Sequence, residues 1–159
     1  MAILKILKDN DPMLRKISRE VDMISPRIIT LLDDMRDTLH KANGCGLAAV
    51  QVGVLRRVVI IETENGKLYE MINPVIVERS EEKQHEIEGC LSIPGRWGIT
   101  CRPKTVTVRA MDRNGNYYTL TGSDLLARAI CHETDHLDGI LYTDNAERIL
   151  TKEEMEGLE

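Results

Sequence analysis

The stretch Cys131-His132-Glu133-Thr134-Asp135-His136 constrains the fold of this chain most strongly, because its two histidines are four residues apart. On an α-helix, residues at this spacing lie on one face, so both imidazoles can bind one metal ion. Glu133 then lies beside that ion and can exchange a proton with its water ligand. A catalytic zinc or iron site normally takes a third protein ligand and keeps one position open. The fold must therefore bring a third donor to this helix from another part of the chain.

The helix that carries these histidines is predicted to begin after Gly122-Ser123 and to be apolar around much of its circumference. This pattern is typical of a helix that is buried against sheets. A separate amphipathic helix is predicted near the N-terminus, starting at Ser25-Pro26 and ending at Asn43-Gly44. Two Asn-Gly dipeptides between the helices predict hairpin turns, and the strands that flank them are predicted at 57–62, 68–72, 105–111 and 117–121.

Two further features lie between these strands. Pro74 predicts an edge or a break before Val75, and the polar segment 80–86 predicts a solvated turn. No alternation of strand, helix and strand is found, which argues against a parallel sheet. We predict an α+β fold in which antiparallel β-sheets pack around a central helix bearing the H-E-x-x-H motif, with an N-terminal amphipathic helix and a single catalytic domain over residues 1–159.

Composition and charge exclude several classes of function. A net charge of −5 without a basic block argues against nucleic-acid recognition. Lys5 and Lys8 interrupt the N-terminal apolar residues, so no signal peptide is predicted, and no segment has the apolar length of a membrane span. Four cysteines without an export signal favour free thiols in a reducing compartment, and the absence of a C-x-x-C pair argues against a structural zinc site. We therefore expect a cytoplasmic protein without a membrane partner.

The third metal ligand has two possible sources. In one class of metalloprotease it is a histidine three residues beyond the glycine, but Tyr142 occupies that position here, three residues after Gly139. Asp144, Glu147 and the acidic tail are the other downstream candidates. Upstream, Cys90 offers a thiolate, a strong ligand for Zn²⁺ or Fe²⁺. A cysteine is also commonly a small buried apolar residue, so Cys90 alone does not decide the matter.

A segment rich in glycine and alanine, Gly44–Gly53, also allows two interpretations. Its small residues permit another backbone or a ligand to approach closely, and they equally suit a tight, well-packed turn. It is not a phosphate-binding loop, because the Gly-Lys-Ser/Thr ending is missing. The segment contains one glutamine, Gln51, as its only functional side chain beside Cys45.

Together these segments resemble the peptide deformylase family. Its three motifs, G-x-G-x-A-A-x-Q, E-G-C-x-S and H-E-x-D-H, occur in that order at Gly44–Gln51, Glu88–Ser92 and His132–His136. The Asp-Pro-x-Leu-Arg sequence at Asp11–Arg15 and the ending His-Leu-Asp-Gly at His136–Gly139 also match. The resemblance therefore covers nearly the whole chain.

The resemblance implies an activity and a site. The activity is hydrolysis of the N-formyl group of formyl-methionine at the ends of new polypeptides, releasing formate. The implied metal ligands are Cys90, His132 and His136. In the family, metal-bound water attacks the formyl carbon, with Glu133 as general base and then acid. The glutamine amide of Gln51 and the backbone N–H of Leu91 would stabilise the oxyanion.

The resemblance also implies contacts to the substrate and a cofactor. The backbone near Gly46 would pair with the extended peptide, and the methionine side chain is predicted to bind among Cys45, Leu126, Ile130 and Cys131. One divalent ion is implied, with Fe²⁺ as the physiological metal and Zn²⁺, Ni²⁺ or Co²⁺ as replacements. Association with the ribosome is implied as well, although the acidic C-terminal segment argues against docking through a basic helix.

Two alternatives to a deformylase follow from the residues alone. A metallopeptidase would use the same helix and the same glutamate. A metal-holding binding protein would keep the ligands without turnover, but it would need neither Glu133 nor Gln51.

Overall fold

The structure is a computed structural model that describes residues 2–157, so the predicted domain ends at residues 1 and 159 lie outside the described residues. Its helices are α1 (Pro26–Ala42), α2 (Leu125–Leu137), α3 (Tyr142–Asn145) and α4 (Lys152–Glu156), with 3-10 helices at Pro12–Arg15 and Ala49–Val52. Its strands are β1 (Gly46–Ala48), β2 (Val58–Glu62), β3 (Leu68–Arg79), β4 (Lys83–Cys90), β5 (Ile93–Pro103), β6 (Thr105–Met111), β7 (Tyr117–Ser123) and β8 (Arg148–Ile149).

The strands form two sheets in which neighbouring strands are antiparallel. The larger sheet has the order β1-β2-β3-β6-β7, and the smaller one has the order β4-β5-β8. Helix α2 packs against strands of both sheets, including β1, β2, β5 and β7. The prediction of an α+β fold with antiparallel sheets is confirmed.

The larger sheet is covered on both faces at β2, all of whose residues except Glu62 are buried. Successive side chains of a strand point to opposite faces. Val58 and Ile60 pack with the apolar stripe of α1, whereas Val59 and Ile61 pack in the cluster that contains Ile130 of α2. Each such side chain contributes about 1.5–3 kcal/mol when it is fully buried. The continuous apolar run of β2 is thus explained by burial on both sides.

Helix α1 begins and ends where the sequence predicts. Pro26 occupies the first turn, and Asn43 ends the helix in the left-handed conformation, with φ 56°. An asparagine tolerates this conformation better than most residues, which is why it serves as a helix stop. The start of α2 differs from the prediction, because Ser123 still belongs to β7 and Asp124 is the residue that precedes the helix.

The structure differs from the predictions at two places in the strands, Pro74 of β3 and the start of β4. Strand β3 continues through Pro74, because a register shift between Ile72 and Val75 accommodates the proline without ending the strand. The predicted turn at 80–86 is shorter than expected: residues 80–82 connect β3 to β4, and β4 begins at Lys83 and pairs with β5. The strand was not predicted because its sequence is polar. One face of the strand is solvated, and Gln84 on the other face is buried and hydrogen-bonded.

Within the described part of the chain, no helix combines the length and the apolar character that a membrane crossing requires.

Candidate metal centre and active-site cleft

Cys90, His132 and His136 meet at one point in the structure. Both histidines lie on the same face of α2, and Cys90 is the last residue of β4. One potential ligand atom from each residue lies within 4.8 Å of the others, and the Cys90 Sγ atom is 3.3 Å from Nε2 of His136. A register shift between Gly89 and Cys90 ends the regular pairing of β4 with β5 just before the thiol. The structure therefore brings the three predicted ligands together.

The chemistry of this group fits a divalent metal. A thiolate and two imidazoles are a donor set typical of catalytic Zn²⁺ or Fe²⁺ sites, and they leave one position open. The Nδ1 atom of His132 is 2.6 Å from a carboxylate oxygen of Glu88, so the other ring nitrogen is left to face the thiol and a metal. A histidine oriented by a carboxylate in this way is typical of metal sites.

Two of the downstream candidates for a third ligand, Asp144 and Glu147, are engaged elsewhere. Asp144 forms a bidentate ion pair with Arg15, and Glu147 lies 2.6 Å from Nδ1 of His85. Tyr142 is buried, stacks on the His132 ring at a centroid distance of 6.0 Å, and donates a hydrogen bond to the carbonyl of Arg96. Tyr142 thus packs against one ligand, and Cys90 is the third donor that the fold supplies.

A buried ionic network behind His132 was not predicted from the sequence. Arg102 of β5 donates hydrogen bonds to both oxygens of Glu88 and binds Asp135 of α2 at 2.7 Å. Thr100 also donates to Glu88, at 2.6 Å. Burial alone would raise the pKa of Glu88, but the hydrogen bonds from His132 and Arg102 lower it to about 2. Glu88 is therefore a carboxylate that accepts the His132 proton and holds the ring.

Replacing Arg102 with methionine is expected to destabilise the protein and to loosen the metal site. The change leaves the Glu88 carboxylate buried without its cation, so we expect the free energy of unfolding to fall by about 3–5 kcal/mol. Disturbing the group that orients a metal-binding histidine should also lower metal affinity about 10- to 100-fold. Urea denaturation and chelator competition measure the two effects. Arg79→Met at an exposed position is the control, for which a change within about 0.5 kcal/mol is expected.

Glu133 is buried beside the three candidate metal ligands and keeps one oxygen unpaired. Its Oε1 atom has no hydrogen-bond partner among residues 2–157. Burial raises the pKa of Glu133 to about 7, against the opposing effect of His132. A Cβ atom at Gly46 would lie 2.6 Å from Oε2 of Glu133, so only glycine leaves room for this carboxylate. The glycine-rich segment, which forms β1 and the 3-10 helix after it, is therefore a wall of the site.

The orientation of the Gln51 amide is fixed by its neighbours. Its Oε1 atom accepts a hydrogen bond from the backbone N–H of Ala48 at 2.9 Å, which leaves the amide nitrogen to face the metal centre. That nitrogen donates to Ser92 Oγ at 3.1 Å and lies 3.6 Å from Cys90 Sγ. Gln51 is almost completely buried, at 1% exposure. Its N–H donors are thus held in place beside the thiol.

The N-terminal segment ties this glutamine to the segment after Cys90. The backbone N–H of Leu7 donates to the carbonyl of Gln51 at 2.7 Å, and that of Asp9 donates to the carbonyl of Ser92 at 2.9 Å. Leu91, between Cys90 and Ser92, packs so closely on Gly44 that a Cβ atom there would lie 2.8 Å from the leucine. The segments that contain the two predicted oxyanion donors are therefore both hydrogen-bonded to the backbone of residues 7–9.

An open cleft of about 580 Å³ lies over the site and is bounded by residues of the glycine-rich segment, β4, β5 and α2. Of the predicted substrate residues, Cys45 and Gly46 line it. Leu126, Ile130 and Cys131 do not: Ile130 and Cys131 are buried in the core, and Leu126 packs on Gly122. The residues that α2 presents to the cleft are Leu125, Arg128, Ala129, His132 and Glu133.

The position of these residues on α2 explains why the predicted pocket for the methionine side chain must be corrected. On α2 the cleft-facing residues follow the i, i+3, i+4 and i+7 pattern from Leu125, which also includes His132. Leu126 and Ile130 follow the same pattern one residue later and lie on the face that packs against the larger sheet. Leu125 and Ala129 make part of the cleft face apolar as well, so hydrophobicity alone did not distinguish it from the core face.

Comparison with known proteins agrees with this geometry. The model of the family described as "Polypeptide deformylase" matches residues 3–152. A peptide deformylase of Acetivibrio thermocellus is 56% identical over 156 residues, covering 98% of this chain and 91% of the relative. A peptide deformylase of Finegoldia magna is 52% identical over 160 residues, covering 99% and 98%.

Solved structures give the same result. The peptide deformylase of Ehrlichia chaffeensis in complex with actinonin superposes with a TM-score of 0.89 at 38% identity, covering 99% of this chain and 94% of that one. The peptide deformylase of Synechococcus elongatus in complex with actinonin gives 0.88 at 35% identity, covering 97% and 82%. A family model that matches most of the chain, together with relatives above half identity, shows that the chain belongs to the polypeptide deformylase family of enzymes.

Proposed function

We propose that this protein is a metal-dependent hydrolase that removes the formyl group from N-terminal formyl-methionine of new polypeptides and releases formate. The observation that carries the proposal is the convergence of Cys90, His132 and His136 beside the buried Glu133, at the floor of an open cleft. Relatives named peptide deformylase support the same reaction. We further propose that the chain acts as one catalytic domain, in the cytoplasm, on chains that leave the ribosome.

Cys90, His132 and His136 would hold one divalent ion, for which we propose Fe²⁺ as the physiological metal and Zn²⁺, Ni²⁺ or Co²⁺ as substitutes. Bound there, the ion would supply Lewis acidity and would make a water molecule nucleophilic near neutral pH. The protein would exclude bulk water from the ion, because both histidines are nearly fully buried. Glu88 contributes by holding the His132 ring in one tautomer.

Glu133 would transfer the proton. Its unpaired Oε1 atom can accept a proton from the attacking water, and the protonated acid can then deliver it to the departing amine. The carboxylate reaches the cleft because Gly46 has no side chain in its way. A group that serves first as base and then as acid works best when its pKa lies near the working pH.

Gln51 and the backbone N–H of Leu91 would stabilise the oxyanion that forms when the formyl carbon is attacked. The Gln51 amide is already oriented by Ala48 and Ser92, so no reorganisation is needed as negative charge develops. The connection of both segments to Leu7 and Asp9 supports their acting as a pair.

The substrate peptide would lie along the edge of β1. Strand β1 is an edge strand of the larger sheet, and it pairs only with β2 among the described strands. An extended peptide can therefore add beside Gly46 as a further strand. Cys45, Leu125 and Ala129 line the cleft and would surround the methionine side chain.

Replacing Gln51 with leucine is expected to lower kcat about 10²- to 10³-fold with little change in KM, because one preorganised oxyanion donor is lost. Formate release from formyl-Met-Ala measures the effect. Bound metal, determined on the same sample, controls for damage to the ligand set. A kcat within twofold of the wild-type value would contradict the proposed role of Gln51.

The products formed from formyl-Met-Ala-Ser test the proposed function. The wild-type protein is expected to release formate and intact Met-Ala-Ser, which mass spectrometry distinguishes from shorter fragments. Cleavage of the unblocked peptide Met-Ala-Ser without formate release would instead identify a metallopeptidase. A metal-loaded protein that changes neither peptide would be a metal-holding protein without turnover.

A further inference from the structure

The mouth of the cleft carries a charge that is opposite to that of the whole protein. The chain has a net charge of −5, yet the charged side chains that line the cleft and reach solvent are two cations, Arg96 and Arg128. The two acidic residues that line it, Glu88 and Glu133, are only 8% and 4% exposed and lie at the metal centre. An incoming peptide therefore first meets positive charge.

Arg128 is held in place by a neutral partner. Gln84 of β4 is buried at 5% exposure, and its amide nitrogen donates to the carbonyls of Pro103 and Asp124, both at 3.0 Å. These bonds leave Oε1 of Gln84 as an acceptor, which binds the Arg128 guanidinium at 2.7 Å. The guanidinium is thereby positioned while its charge is left unneutralised.

No carboxylate in the described part of the chain pairs with either arginine. Asp124 lies four residues before Arg128, just ahead of α2, and its side chain forms an ion pair with Lys104. Arg96 is exposed on β5, and its backbone is fixed because the carbonyl accepts the hydrogen bond of the buried Tyr142. Both cations therefore retain N–H donors for a ligand that enters the cleft.

We infer that Arg96 and Arg128 determine specificity, and that the cleft prefers formylated peptides with Asp or Glu among the two residues that follow formyl-methionine. The inference rests on the proposed deformylase function. Guanidinium groups bind carboxylates through paired hydrogen bonds, and the low-dielectric walls of a cleft strengthen the attraction. For partly exposed contacts we expect a gain in kcat/KM of up to about fivefold for each arginine that is engaged.

Matched peptide amides test the inference, because they carry no C-terminal charge. The peptides are formyl-Met-Asp-Ala-amide and formyl-Met-Ala-Asp-amide, with Asn and Lys versions of each. We expect at least one of the Asp peptides to exceed its Asn counterpart about five- to tenfold in kcat/KM at low salt, and the Lys version to be slowest. The preference should shrink at 0.5 M NaCl, because salt screens partly exposed charges.

Variants assign the preference to the two arginines. The double variant Arg96→Gln/Arg128→Gln is expected to process Asp and Asn peptides at rates within twofold of each other. Arg96→Glu/Arg128→Glu is expected to favour the Lys peptides. The control Arg109→Gln removes a cation that stacks on Tyr117 of β7 in the larger sheet, and it should keep the wild-type preference. Bound metal and thermal unfolding are compared for all variants.

The outcomes separate this inference from the proposed function. Formate release from every peptide with equal kcat/KM for Asp and Asn would overturn the inference and leave the deformylase activity intact. A preference for Asp that persists in a folded, metal-loaded Arg96→Gln/Arg128→Gln variant would overturn it as well. Absence of formate from all peptides would instead overturn the proposed function.

Discussion

Replacing Glu133 with alanine is expected to lower kcat for formate release about 10²- to 10⁴-fold while the protein still binds its metal. The reason is that general acid–base catalysis by a positioned side chain contributes an effect of this size. Glu133 is the buried acid that lies against Gly46 and has an unpaired oxygen, and it is not one of the three converging ligands. Single-turnover formate release measures the chemical step directly.

A second substitution at this position separates proton transfer from packing. Glu133→Gln keeps the size of the side chain and removes its ability to accept a proton, so it should be nearly as inactive as Glu133→Ala. Metal content near one ion per chain is expected for both variants. Full activity of Glu133→Gln would mean that another group moves the proton.

Replacing Cys90 with alanine is expected to remove both the metal and the activity. Losing a thiolate from a set of three ligands costs more than losing a supporting hydrogen bond, which itself lowers affinity about 10- to 100-fold. We therefore expect metal affinity to fall by more than about 100-fold, and formate release to fall with the bound metal. Metal analysis after dialysis against a chelator, with activity measured on the same sample, gives both quantities.

The chain offers a matched control for this substitution. Cys101 lies on β5 of the same small sheet but is exposed and is not among the converging ligands. Cys101→Ala should retain the metal and the wild-type rate. Retention of one metal ion by Cys90→Ala would mean that the third ligand comes from another residue.

The helix ends and the hairpin turn could be predicted from the sequence because neighbouring residues determine them. A proline at the start of α1 and an asparagine at its end fix the helix bounds within a few residues. The four-residue spacing of His132 and His136 predicts that both lie on one face of a helix, and both lie on the same face of α2. The Asn-Gly turn between β6 and β7 likewise determines its hairpin.

Features that depend on tertiary contacts could not be predicted in the same way. The start of β4 is polar because it has a solvated face, so only its pairing with β5 reveals a strand. Arg102 has no neighbour in sequence that indicates its contact with Glu88, since the two meet across β4 and β5. Ile130 was assigned to the cleft, but it packs in the core, because the larger sheet covers that side of α2. Which apolar residues of a helix another element covers is not visible in the sequence.

The site itself was predictable to the extent that it is encoded by motifs. The three motif segments contain the proposed metal ligands, Glu133 and Gln51. The fold brings Cys90, His132 and His136 together, and Cys90, His132, Glu133 and Gln51 line one cleft. The motifs do not show the hydrogen bonds that hold these side chains in position. Glu88 belongs to a motif, but its role becomes visible only when its bonds to His132 and Arg102 are known.

The most direct test of the central claim is a metal titration of metal-free protein under anaerobic conditions, with bound Fe²⁺ and formate release from formyl-Met-Ala measured on the same samples. If one ion held by Cys90, His132 and His136 supports deformylation, formate release should rise in proportion to bound metal and reach its maximum at one ion per chain. Saturation with one ion without formate release, or equal turnover by the metal-free protein, would contradict the claim.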